Sequence, residues 1–115
     1  YEKALEYYER ALKGKEKTLG KTHPDTLSTV MNIAVLYDEG LKDYGKAEEL
    51  YQRALEGYEA QLGKDHKYTK SCAINFRMCL EESKNINRLE DLRKEYPFPW
   101  LDEESSDEDE AEGDY

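Results

Sequence analysis

At 115 residues, with 37% hydrophobic and 38% charged side chains, a formal net charge of −10 and a mean hydropathy of −1.04, the chain is one domain at most and lacks the apolar material for a deep globular core. No apolar stretch approaches the roughly 20 residues of a membrane span, and no charged-then-apolar leader opens the chain. Cys72 and Cys79 fall on what reads as one helix with Cα atoms about 10 Å apart, too far to bridge; as small buried hydrophobes they predict a reducing compartment, cytoplasmic with a nuclear location possible.

Residues 1–18 place Ala4, Tyr7, Tyr8, Ala11 and Leu12 on one face of an amphipathic helix. Leu19-Gly20-Lys21 ends it, the glycine supplying a left-handed conformation. The next helix is expected to start after Thr22, whose hydroxyl can cap it, with Pro24 in the first turn and His23 packing at the junction. Leu27, Val30, Ile33, Ala34 and Tyr37 then form one stripe, widened by Met31 and Val35. A helix apolar over so much of its circumference is wedged between neighbours.

From residue 44 the same phrases return, displaced by 43 positions. Tyr1 falls on Tyr44, Ala4 on Ala47, Tyr8 on Tyr51, Arg10-Ala11-Leu12 on Arg53-Ala54-Leu55, Leu19-Gly20-Lys21 on Leu62-Gly63-Lys64, His23 on His66, Thr26 on Thr69 and Asn32 on Asn75. A fixed period of this size marks stacked units that cannot bury their apolar faces alone. The second copy carries Ala47, Leu50, Tyr51, Ala54, Leu55 and Tyr58 on one helix, expects a helix start after Asp65, and continues through Ala73, Ile74, Phe76, Met78 and Leu80. Small residues at Ala34, Ala47 and Ala54 let helices cross at about 8–10 Å. Arg77 stands where the first copy has Ala34, so the last unit either packs differently or leaves the arginine at an edge. Because Tyr1 matches the start of a second helix, the chain is expected to be a fragment of a longer array.

Beyond residue 82 the period stops, since Glu90 and Pro97 stand where small residues are due. Ile86, Leu89, Leu92 and Tyr96 share a helical face that reads as a cap on the last unit, ended by Pro97 and Pro99. Residues 101–115 hold nine acids and no Lys or Arg, leaving 18 acids against 17 bases in residues 1–100. Such a stretch predicts a disordered acidic tail. Ser105 and Ser106 each have an acid three positions on and are candidate phosphorylation sites that would add roughly −1.5 to −2 charges each. The expected divisions are residues 1–82 as repeat array, 83–100 as cap and Pro/aromatic terminator, and 101–115 as tail.

Tyr37 followed by Ala47, Tyr51 and Ala54 resembles the tetratricopeptide pattern of alternating aromatic and small residues. The long unit, with Arg53-Ala54-Leu55, Leu19-Gly20-Lys21 and His23-Pro24-Asp25-Thr26, looks like the repeats of kinesin light chains and related adaptors. The resemblance covers about residues 1–82 and implies an all-α fold, an α-solenoid of helix pairs whose first helices line a concave surface. It implies a non-catalytic scaffold that binds an extended peptide through Ser28, Met31, Asn32, Val35 and Glu39, then Ser71, Ile74, Asn75, Met78 and Glu82. An asparagine amide can pair with a peptide backbone whatever its side chains, which puts Asn32 and Asn75 first, unless they bond only within the array. Lys70 and Arg77 would add attraction for an acidic ligand. A kinesin motor connection would run through segments outside this sequence. Trp100-Leu101-Asp102-Glu103 loosely resembles the tryptophan-acid peptides such grooves accept, against Phe98 and Trp100 sealing the last helix. The alternative function is an acidic chaperone whose tail holds basic clients such as histones. No phosphate loop, metal-ligand cluster or Cys/His pairing points to an enzyme, a cofactor or a metal, and neither membrane nor direct nucleic-acid contact is expected.

Overall fold

The computed structural model describes residues 1–104, which form five α-helices: α1 (Glu2–Leu19), α2 (Pro24–Val35), α3 (Tyr44–Leu62), α4 (Lys67–Ser83) and α5 (Ile86–Glu95). No strand occurs among these residues. The helices stack in chain order, α1 on α2, α2 on α3, α3 on α4 and α4 on α5, which is the all-α solenoid with a C-terminal capping helix that the repeat requires. Ser105 and Ser106, and the acidic residues after them, lie outside the described residues.

Helices α1 and α3 each end where the sequence puts a glycine, but not in the left-handed conformation expected. Gly20 and Gly63 have φ of 96° and 89° with ψ of 161° and 165°, and their amides donate back to the carbonyls of Glu16 and Glu59. That backbone region is open to glycine almost alone. Nothing lies within 4 Å of where a Cβ on Gly63 would sit, so the cost of a side chain there is backbone strain alone. Gly63→Ala is expected to destabilise by about 1–3 kcal/mol in urea unfolding; an unchanged midpoint would show that the turn can be rebuilt.

The helix starts differ from expectation by one residue. His23 and His66, not Thr22 and Asp65, are the N-caps: their Nδ1 atoms accept the N–H of Asp25 and Tyr68, each at 3.1 Å. An imidazole nitrogen does here what a shorter oxygen-bearing side chain usually does at a helix start. Thr26 fastens the preceding turn by donating to the Gly20 carbonyl at 2.8 Å.

The core lies along the shared faces of α2, α3 and α4. Ala34, Ala47 and Ala54 are fully buried and hold the backbones close, and Tyr51 stacks on Phe76 with centroids 5.8 Å apart. Gly57 is part of the same approach, because a Cβ there would fall 2.5 Å from Leu27 Cδ1. Tyr58 is buried between units, its hydroxyl 3.1 Å from Ser28 Oγ. Arg53 joins α3 to α1 through a 2.6 Å contact with Glu16. Cys72 and Cys79 are free and buried, and burial pushes both thiols well up from their usual range.

The stripe through Tyr37 does not run on as one regular helix. Leu36–Gly40 winds as a π-turn, closed by the Leu41 amide on the Leu36 carbonyl at 2.9 Å. Asp38, within this turn, is buried.

The capping face also differs from its expected stripe. Leu92 and Tyr96 are buried and Leu89 half-buried, but Ile86 is 58% exposed. Its place is at the first turn, where Asn85 caps α5 by accepting the Arg88 N–H at 3.2 Å. The stretch expected as tail from residue 101 begins inside the fold: Pro99–Asp102 forms a short 3₁₀ turn and Leu101 is buried. Phe98 and Trp100 pack half-buried against the core, as the sealing reading requires.

Candidate functional site

The two helices expected to face a ligand, α2 and α4, border two open clefts. One, of about 440 Å³, lies between α1 and α2 and is lined by Tyr7, Tyr8, Ala11, Lys15, Ser28, Thr29 and Asn32. The other, of about 370 Å³, lies between the π-turn and α4 and is lined by Asp38, Glu39, Lys42, Tyr51, Asn75, Met78 and Glu82. Asn32 and Asn75, equivalent in the repeat, thus each line one cleft. Ser28 joins Asn32, and Met78 joins Asn75. Met31, Val35, Ser71 and Ile74 line neither.

Exposure divides the eight candidates further. Asn32, Val35 and Met78 are half-buried, whereas Ser28, Met31, Ser71, Ile74 and Asn75 are buried, Asn75 to 5% exposure. Ser28 is held by the Tyr58 hydroxyl. Ser71, its equivalent, has no hydrogen-bond partner for Oγ among the described residues, because the chain offers Leu101 at the position where Tyr58 serves the first unit. Lys15 stands at that position in the α1 copy, and its Nζ donates to Thr29 Oγ1 at 3.0 Å in the first cleft.

The second cleft is the more acidic. Asp38, 6% exposed at its floor, accepts from the Tyr51 hydroxyl at 3.2 Å. Burial raises its carboxyl above the usual range, against the lowering effect of that hydrogen bond, and burial likewise holds the Tyr51 phenol well up. Glu82 on the rim accepts from Tyr44 at 3.1 Å and pairs with Lys42 at 3.6 Å. Sequence reasoning passed over Asp38, although its spacing from Leu27, Met31 and Ala34 puts it on their face, because a search for apolar positions skips a carboxylate; Lys42 and Tyr51 reach the cleft from other segments.

Two cations expected to draw an acidic ligand are engaged elsewhere. Arg77 is buried, donating through Nε to the Leu101 carbonyl at 2.9 Å and through its terminal nitrogens to the Glu103 carbonyl at 2.5 Å and the Glu81 carboxylate at 2.8 Å. Of the two outcomes foreseen for an arginine in place of Ala34, the last unit packs differently. Lys70 lies over the Trp100 ring, 5.6 Å from its centroid.

Among the described residues, no three His, Cys, Asp or Glu side chains gather as a metal site, and no helix is long and apolar enough to cross a membrane. No curated protein matches the chain. Residues 1–60, more than half of it, match the family model described as tetratricopeptide repeat. Repeats of this family generally mediate protein–protein interaction and are typically non-catalytic scaffolds. Helix pairs in register, alanines at the crossings and the family match lead to one conclusion: the chain belongs to the tetratricopeptide repeat family.

Proposed function

We propose that the protein is a non-catalytic, cytoplasmic adaptor of the kinesin light chain-like type, gripping an extended peptide of a partner protein across the face shared by α2 and α4. The observation that carries this reading is the placement of Asn32 and Asn75 at the same position of successive first helices, each lining an open cleft. Amides at that spacing offer a donor and an acceptor to an extended backbone. Val35 and Met78 supply partly exposed apolar contact, and Ser28, Met31, Ser71 and Ile74 shape the surface from beneath. The rim carboxylates Glu39 and Glu82 favour a peptide with a basic side chain at the second cleft over an acidic one.

The test is selection of peptides from a random library on the unaltered protein, followed by affinity measurement on variants. Asn32→Ala and Met78→Ala should each weaken selected peptides about tenfold, about 1.4 kcal/mol, the size of one lost hydrogen bond or apolar contact. Glu9→Ala on α1 should change nothing. Equal affinity across all three would place the binding surface elsewhere.

A further inference from the structure

The C-terminal end of the array carries a row of lysines on aromatic rings that the groove does not use. Lys64 Nζ lies 4.9 Å from the Tyr96 ring centroid, Tyr96 meets Trp100 edge-on at 6.0 Å, and Lys70 Nζ stands 5.6 Å over Trp100. Phe98 stacks beneath Trp100 at 5.6 Å. Lys67, one turn before Lys70, stands 5.6 Å over Tyr68. Lys64 has Glu59 at 4.0 Å; no carboxylate of the described residues forms an ion pair with Lys67 or Lys70.

The fold does not require Lys67 or Lys70, whereas Lys64 matches Lys21 of the first copy and donates to the Glu95 carbonyl at 2.8 Å. At the positions of Lys67, Tyr68 and Lys70 the first unit has Pro24, Asp25 and Leu27, and Leu27 is buried against Gly57. The second unit replaces that apolar pair with Lys70 on Trp100, a contact that leaves an ammonium at the surface of a chain whose net charge is −10. The path of the chain supplies the counter-charge. Arg77 pins the carbonyls of Leu101 and Glu103, so the chain leaves the described structure at Glu104 from a fixed point beside Trp100. Residues 105–115 then contain Asp107, Glu108, Asp109, Glu110, Glu112 and Asp114 and no Lys or Arg. Their eleven residues can span at most about 36–40 Å, while the long axis of the molecule is 35 Å, so every lysine of the row is within reach. Attachment at Glu104 makes the encounter intramolecular, at an effective concentration on the order of millimolar.

We propose that the surface of Lys64, Lys67 and Lys70 over Tyr96, Tyr68 and Trp100 is the docking face for the acidic stretch 107–114 of the same chain. Carboxylates reach the ammonium groups from the solvent side while the rings hold them from below. An acidic segment of a partner would have to displace this stretch to use the same surface. The contact is electrostatic and partly exposed, so salt weakens it.

The experiment uses the full chain with Gly113→Cys carrying a nitroxide; Cys72 and Cys79 are buried, which leaves the new thiol as the reactive one. Paramagnetic broadening of the Trp100 indole N–H, the only tryptophan, and of the Lys67 and Lys70 amides is read by NMR at low and at high salt. The expected result is strong broadening at low salt that falls at high salt, and falls equally when Asp107, Glu108, Asp109 and Glu110 are replaced by Asn or Gln. Lys67→Glu should reduce it as well. Broadening that is absent at low salt, or the same with the neutralised stretch, overturns the proposal. So does broadening carried by a mixture of labelled and isotope-enriched unlabelled chains, which would make a second copy the occupant.

Discussion

Tyr58→Ala is expected to lower the unfolding free energy by about 3–5 kcal/mol, a large share of the roughly 5–15 kcal/mol available to a small domain. Tyr58 is 1% exposed between α2 and α4, tilts against the Tyr68 ring at 5.9 Å and bonds Ser28 through its hydroxyl. Removing the ring opens a void at the joint between the two units, and neither helix can close it without losing the register of the alanine crossings. Tyr58→Phe separates the two contributions. It keeps the ring and leaves Ser28 without that partner, for a cost near 1 kcal/mol. Urea titrations of both variants check the ranking; a Tyr58→Ala cost no larger than that of Tyr58→Phe would mean that packing at the joint is not what holds the units together.

Leu101→Ala should cost about 2–5 kcal/mol, although it lies after the last α-helix and next to an acidic run. Leu101 falls 43 positions after Tyr58 and is equally buried, so the terminal turn fills the socket that a further helix would otherwise fill. The adjacent Trp100 reports locally: its emission should shift red in the variant as Phe98 and Tyr96 lose their backing. Ile86→Ala is the comparison. That residue is 58% exposed, and a change within about 0.5 kcal/mol is expected. If the two substitutions proved equally mild, the terminal segment would be an ornament on the array rather than part of its core.

Most of the architecture was legible because it is written in strong, repeated signals. Ala34, Ala47 and Ala54 are buried at the crossings that their size predicted, and Gly20 and Gly63 end their helices with positive φ, though with extended ψ rather than in the left-handed helical region expected. What stayed hidden depends on local choices between near-equal alternatives. A threonine and an aspartate were the better cap formers by type, yet the imidazoles one residue later took the role in both copies. The π-turn at Leu36–Gly40 needs one extra residue in a turn, which periodicity over a short window does not resolve. The candidate ligand residues were legible as a face but not in depth, since Asn75 and Ser71 sink below a surface that Asn32 and Met78 share with solvent. Arg77 was visible as an exception at an alanine position; its carbonyl partners lie 24 and 26 residues away and left no trace in spacing.

That arginine has a consequence for how molecules of this protein meet one another. A surface that stacks head to tail on its own kind tends to grow into open-ended fibres unless one extremity refuses the next subunit. Here a guanidinium tied to main-chain oxygens, with a leucine plugged beside it, takes the seat that an incoming helix would need. To stack there, a second molecule would have to break the main-chain contacts of Arg77 and expel Leu101.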